Sequence, residues 1–266
     1  MKDLNESTRI ERPNRIDLRN LTPARVARES TGVSVTTREA LEFSLAHALA
    51  RDAVHAALAV TSLLEELRTR GLDALAVKSA ARDRMEYLRR PDLGRTLAPA
   101  SASRLAESGS HHRKQGMSLS IVLADGLSAV AVERHAVPLL DALLPLPGLA
   151  EGRWTLAPVV VAEQARVALG DEIGAALGAG VTLMLIGERP GLSSPTSLGA
   201  YITWAPRPGR TDAERNCVSN IHSGGLDYAA AATKILWFLT QAQRLGGTGV
   251  SLRDNEQLAA GDSIPE

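Results

Sequence analysis

A single cysteine, Cys217, stands among 266 residues. That excludes a disulfide framework and suits a reducing compartment. Aromatic residues amount to 3%: three Trp, three Tyr and two Phe. A core must therefore be filled by Leu, Val and Ala. No run approaches the roughly 18 uninterrupted apolar residues of a membrane span. Net charge is also absent, because 30 Lys and Arg are offset by 30 Asp and Glu. Neither nucleic acid nor an anionic membrane is expected as the main partner. The opening residues are charged from Lys2 onward and contain no apolar segment of a secretory signal. No GxGxxG follows an apolar run; Gly174, Gly178 and Gly180 fall at a helix end, so a dinucleotide site is not expected. A soluble cytoplasmic protein is the reading these absences leave.

What is present is a 44% hydrophobic chain, long enough for one large or two modest domains. Residues 1–20 are polar and read as a flexible leader. From Leu21 the pattern turns helical: Thr22-Pro23 supplies a cap and a first-turn proline, and Thr36 with Glu39 makes a capping-box pattern. Leu41, Leu45, Leu49, Leu58 and Leu63 then predict one long helix ending near Gly71. Ala74–Lys78 fits a strand or a turn. Residues 99–117 read as a short helix and linker, dividing an N-terminal helical region (21–110) from a second domain (117–254), with 255–266 as a flexible tail.

The second half alternates. Apolar strands are predicted at Leu119–Ala124, Thr155–Ala162, Val181–Ile186 and Leu198–Trp204, with helices at Ser128–Leu144, about Val167–Leu177 and Leu226–Leu245. Gly246-Gly247 closes the last helix. Near-continuous apolar strands separated by helices predict an α/β fold with a Rossmann-like, mostly parallel sheet behind the N-terminal helical region.

The most informative stretch is 183–222, where two apolar runs are each followed by a Gly/Pro-rich loop. The second loop carries Glu214, Asn216 and Cys217. Ligands of open α/β sheets bind outside the carboxyl ends of the strands. Glu188, directly after a buried strand, is costly unless hydrogen-bonded, and reads as an acceptor for ligand N–H groups or a partner of Arg189 or Arg210. Asp125-Gly126-Leu127-Ser128 leaves two readings open, a helix cap or backbone donors for a ligand. Cys217 is by default a small buried hydrophobe without a base beside it. Asp171-Glu172 reads as a solvated helix face. His47 and His55 pack or face solvent, and His111-His112 lack a third ligand for metal. His222, in Asn220-Ile221-His222-Ser223-Gly224-Gly225, misses by one residue the D-x-H-x-x-G pattern of a histidine cobalt ligand and is read as coincidence. Arginines 82, 84, 89, 90 and 95, interleaved with acids, predict ion pairing across an interface. Neither catalytic nor metal-ligating residues are assigned.

LTPARVA, TREALEF, LAHALARDAVH, YLRRPDLGR, ADGLSAVAVERHAVPLL, WTLAPVVVAEQARVALGDEIG, LIGERPGLSSPTSLGAYITWAP and GRTDAERNCVSNIH, spread from Leu21 to about Asp254, together resemble the small (light) subunit of ethanolamine ammonia-lyase. The resemblance implies a hetero-oligomer with a large TIM-barrel subunit, a trimer of dimers of large–small pairs, with adenosylcobalamin between the two chains. It implies that ethanolamine becomes acetaldehyde and ammonia on the large subunit, while this chain binds the dimethylbenzimidazole side of the cofactor. The family's cobalamin contacts fall on Val167 in ARVALGDE, Glu188 in IGERPG and Cys217 in ERNCVSN. A leader in some relatives directs the enzyme to a bacterial microcompartment; residues 1–20 show little amphipathic pattern of that kind. Two alternatives stand beside this reading: a stand-alone Rossmann-like nucleotide-binding protein, and a structural partner that seats a catalytic subunit without touching cofactor.

Overall fold

A computed structural model describes residues 28–112 and 117–252, together with Leu18, Leu21, Thr22 and 24–26. The leader reading (1–20, apart from Leu18) and the tail reading (255–266) lie outside the described residues, as do the side chains of His111 and His112.

A two-residue hairpin, β1 (Ser30–Thr31) and β2 (Ser34–Val35), precedes helices α1 (Thr37–His55) and α2 (Val60–Thr69). The helical pattern read from Leu21 is not realised in this stretch: no helix precedes α1 among described residues 21–35. The single helix expected over 36–71 is also broken. Its break has a tertiary cause, since Ala56–Ala59 are good helix formers. The Ala59 N–H donates to Glu133 at 2.7 Å, and Arg84 takes the Val54 carbonyl at 2.7 Å, so distant side chains override local propensity.

β3 (Ala74–Lys78) is a strand, followed by α3 (Arg84–Arg89), a 3₁₀ turn at Leu93–Arg95 and α4 (Pro99–His112). Then come β4 (Met117–Ala124), α5 (Ala129–Leu143), β5 (Trp154–Leu156), β6 (Val159–Glu163), α6 (Leu169–Leu177), β7 (Val181–Gly187), β8 (Leu198–Trp204), β9 (Arg215–Ile221) and α7 (Tyr228–Leu245). The expected strand 155–162 is two, parted at Ala157-Pro158, where proline has no N–H for the ladder. β5 pairs with the start of β4, and β6 with its end.

The sheet has seven strands, in the order β3-β6-β4-β7-β8-β9 with β5 beside β4. β3, β6, β4 and β7 run parallel, so the sheet is mostly parallel as expected, while β8 and β9 are antiparallel additions at one side. The loop after Trp204 is therefore shorter than the sequence suggests: it ends in a 3₁₀ turn at Asp212–Glu214, and Asn216 and Cys217 lie on β9. β3, from before residue 110, is an edge strand of this same sheet.

Two apolar cores result from the two-residue repeat of each strand. Leu119, Ile121 and Leu123 of β4 face α2, α5 and α7, where Leu67, Leu140 and Leu239 are fully buried. Val122 and Ala124 face the opposite way, toward Leu105 of α4 and Leu169 and Ile173 of α6. Helices thus cover both faces, and the strand ends are what remain for a ligand.

Candidate functional site at the strand ends

The chain leaves β4 into α5 on one face of the sheet and leaves β6 into α6 on the other. Such a switch opens a crevice at the carboxyl edge. There a cavity of about 180 Å³ is lined by Gly126 and Leu127 after β4, Arg166 and Val167 after β6, and Gly187 and Glu188 after β7. Tyr87 and Tyr201 also line it.

Two glycines let the loops meet. A Cβ on Gly126 (φ +52°) would stand 2.2 Å from the Gly187 carbonyl oxygen, and one on Gly187 would stand 2.1 Å from the Ser128 carbonyl oxygen. Any side chain there would push the loops apart. Ser128 is a helix cap, accepting from the Ala131 N–H at 3.3 Å, and its hydroxyl donates to the Pro195 carbonyl at 3.1 Å. The cap reading of Asp125–Ser128 is realised, and Gly126 and Leu127 line the cavity.

Asp125 is buried beneath this edge, where its carboxylate accepts the Gln164 N–H at 2.8 Å and the Ala165 N–H at 2.9 Å. Burial pushes its pKa up to about 6 against the pull of those donors and of Arg84. Arg84 reaches it at 3.3 Å and also donates to the Gly126 carbonyl at 2.9 Å. Asp125 therefore holds the β6–α6 turn and does not face the cavity.

Tyr87, fully buried, is fixed by its hydroxyl to the Ala165 carbonyl at 3.0 Å. The guanidinium carbons of Arg84 and Arg166 lie 4.8 and 4.4 Å from its ring centroid, cation–π distances. Burial raises the Tyr201 pKa as well, so its phenol stays neutral at physiological pH. Tyr87, Arg166 and Tyr201 were not singled out from the sequence. The available signal was that Arg166 follows a strand end; the two tyrosines carried none, because their placement is tertiary.

The three residues implied by the family resemblance fall near this edge. Val167 and Glu188 line the cavity, and Cys217 is paired across the ladder with Tyr201, which also lines it. Glu188 is not ion-paired with Arg189 or Arg210 as one reading had it. Its Oε2 accepts from the Ser197 hydroxyl and from the Asn220 N–H at 3.2 Å, while Arg210 pairs with Glu214. The Thr211 N–H and Arg210 together hold the Glu214 carboxyl down at about 2. Cys217 is exposed, contrary to the expectation of a buried hydrophobe; β9 turns it outward between buried Arg215 and Val218.

Other candidates resolve locally. The His222 Nε2 meets the Asn220 Oδ1 at 2.9 Å, and its Nδ1 accepts the Gly224 N–H at 3.1 Å, so both ring nitrogens serve the turn. His47 is exposed and stacks on Phe43, and His55 faces solvent. Asp171 is buried against Arg215, and Glu172 accepts the Leu97 N–H at 2.6 Å, so this pair is not a solvated face. Successive helix positions do point in different directions, but both directions here meet protein. Within the chain, Arg82 of the arginine run pairs with Glu86, Arg90 with Asp92, and Arg84 reaches out of the segment to Asp125.

Comparison with known proteins gives a consistent result. A family model described as ethanolamine ammonia-lyase light chain matches residues 14–253. The chain is 56% identical over 243 residues to the ethanolamine ammonia-lyase small subunit of Azotobacter vinelandii, covering 91% of this chain and 88% of the relative. To the Bradyrhizobium diazoefficiens small subunit it is 53% identical over 261 residues, 97% of this chain and 98% of the relative. To that of Pseudomonas aeruginosa it is 52% identical over 247 residues, 93% and 89%.

Proposed function

The chain belongs to the ethanolamine ammonia-lyase light-chain family, and on that premise we propose that it is the small subunit of an adenosylcobalamin-dependent ethanolamine ammonia-lyase. It helps hold the cofactor at the interface with a large catalytic subunit, in a trimer of dimers of large–small pairs in the cytoplasm. When bound, adenosylcobalamin supplies the radical chemistry by which ethanolamine becomes acetaldehyde and ammonia; the substrate pocket belongs to the large subunit. Alone, this chain should turn over no ethanolamine. Among the described residues no helix is long and apolar enough to cross a membrane.

The observation that carries the reading is the cavity at the strand ends, lined by Val167 and Glu188. At about 180 Å³ it is too small for a corrin ring and suits one end of the molecule, the dimethylbenzimidazole side. Its walls fit that fragment: the rings of Tyr87 and Tyr201 and the side chains of Leu127 and Ile186 offer apolar contact, and Glu188 and the partly buried Arg166 offer polar contact. Cys217, exposed beside Tyr201, extends the same surface. These residues bind and orient; none is positioned as an acid or base.

The large subunit has a natural seat on α1. Leu41, Leu45 and Leu49 are 65%, 62% and 51% exposed, and a groove lined by Leu45 and Leu49 continues to Leu192 and Pro195 on the loop after Glu188. Partner and cofactor surfaces thereby adjoin.

The test is the apparent cobalamin affinity of the complex reconstituted with the large subunit. Glu188→Ala removes an acceptor of charge-assisted bonds and should weaken binding by about tenfold to a hundredfold, with turnover at saturating cofactor changing much less. Unchanged affinity would remove Glu188 from the site.

A further inference from the structure

A second cavity, about 370 Å³, adjoins the first and shares Arg166 and Val167 with it. Four arginines line it, Arg95, Arg166, Arg210 and Arg215, together with Val167, Ala168, Thr211 and Asp212. Two of the four are already neutralised. Arg215 binds Asp171 and Asp212, the latter on the cavity wall, and Arg210 binds Glu214. Arg95 and Arg166 have no carboxylate within 4.0 Å among the described residues. The wall therefore carries uncompensated positive charge.

Unused donors point to the same conclusion. The Arg215 side chain is 3% exposed, yet its Nε has no hydrogen-bond partner, and the buried Nε of Arg166 has none either. A buried donor without an acceptor is costly. Among the described residues the N–H groups of Val167 and Ala168 also donate to no protein group. They precede α6, whose cap residue Ala168 supplies no side-chain acceptor. The acids of the first turn are committed elsewhere, Asp171 to Arg215 and Glu172 to the Leu97 N–H. The start of α6, two amides without a protein acceptor and the unpaired guanidinium donors thus belong to residues that line one cavity, a setting that favours an oxyanion.

Arg166 is also held in place beforehand. Its guanidinium lies over Tyr87, its N–H donates to the Gly94 carbonyl at 2.8 Å, and a Cβ on Gly94 would stand 2.8 Å from the Tyr87 ring and 3.0 Å from the Arg166 Cγ. That glycine lets the turn bearing Arg95 close on Arg166. A planar guanidinium fixed in this way matches a phosphate oxygen pair.

We propose that this second cavity is a phosphate-ester site, and that its occupant is the phosphodiester in the nucleotide tail of the cobalamin whose base end enters the first cavity. The assignment of the occupant rests on the cofactor reading above; the anion site itself does not. Free phosphate has the same chemistry and is the competing source.

The experiment has two arms, both on wild type, Arg166→Gln and the exposed Arg95→Gln, which leaves the Tyr87 stack intact; circular dichroism and complex formation verify folding. In the first, the full chain is titrated with inorganic phosphate and followed by phosphorus-31 line broadening. Saturable broadening that is lost in Arg166→Gln and weakened in Arg95→Gln supports the anion site, and its absence in wild type overturns free phosphate as a ligand. In the second, the complex with the large subunit is titrated by absorbance with cyanocobalamin, cobinamide phosphate (which lacks ribose and base) and dicyanocobinamide (which lacks the phosphate as well). Arg166→Gln should weaken the first two by about tenfold to a hundredfold and leave the third unchanged. Equal effects on all three, or none, overturn the tail assignment. Phosphate binding with no discrimination among corrinoids makes free phosphate the occupant. Failure of both arms removes the anion site. Loss of the Glu188→Ala effect, with both arms intact, would overturn the first-cavity reading alone.

Discussion

Two helices of nearly equal length meet opposite fates. α1 has 19 residues and α7 has 18, and each is capped by a side-chain oxygen, Thr36 accepting from the Glu39 N–H and Asp227 from the Ala230 N–H. α7 buries Ala231, Ala232, Ile235, Phe238, Leu239 and Ala242 against α5 and the sheet, whereas α1 buries only Ala53. The leucines of α1 recur every four residues, as those of a packed helix do, but face outward. Equal local signals thus lead to burial within the chain in one case and, among the described residues, to an exposed apolar stripe in the other. Contiguous exposed apolar surface of this kind marks an interface.

The contrast can be broken first at its hinge. Arg84 ties the Val54 carbonyl of α1 to Asp125 and to the Gly126 carbonyl. Arg84→Met should destabilise the isolated chain by about 3–5 kcal/mol, because it leaves the Asp125 carboxylate buried without its cation. Denaturant unfolding measures this, and an unshifted midpoint would mean that α1 is not anchored through Arg84. Leu239→Ala, on the buried face of α7, should cost about 2–5 kcal/mol through lost transfer energy and cavity.

A pH effect sharpens the account of the anchor. Asp125 titrates at about 6 in the fold against an ordinary 3.8, so between those values the folded chain binds more protons than the unfolded one. Stability should accordingly fall as pH rises through that window, at no more than about 1.4 kcal/mol per pH unit, and this component should level off above it. The difference between wild type and Asp125→Asn across the window isolates the effect; a difference that grows more favourable to wild type with rising pH would contradict it. The smallest effect on the isolated chain belongs to the exposed stripe. Leu45→Ser with Leu49→Ser should alter its stability by about 0.5 kcal/mol or less per site, while weakening association with the large subunit in analytical ultracentrifugation. Unimpaired association would leave the stripe unexplained.

Much of this was legible from residue order. The apolar strands Leu119–Ala124, Val181–Ile186 and Leu198–Trp204 have nearly the predicted bounds, because a strand buried on both faces is one continuous apolar run. The Gly246 stop of α7, with φ +66° and ψ +30°, was readable for a similar local reason. β9 was not: Arg215, Asn216, Ser219 and Asn220 give it no apolar alternation, and its existence rests on backbone pairing with β8. The site divides in the same way. Glu188 stood out because a carboxylate just past a buried strand needs partners. Which partners it has, Ser197 and the Asn220 amide, depended on β8 and β9 folding back beside β7.

By itself, then, the order of residues determined the α/β class, the strand-end placement of Val167 and Glu188, and the family through extended blocks of identity. Only the tertiary structure decided the antiparallel direction of β8, the break between α1 and α2, the inward turn of Asp171, and the convergence of Arg95, Arg166, Arg210 and Arg215 on one cavity. The physical reason is range. Periodicity, caps and turn residues act over a few positions along the chain. Strand direction and charge pairing are settled between groups such as Asp171 and Arg215, 44 residues apart, where a buried charge must find its partner across the fold.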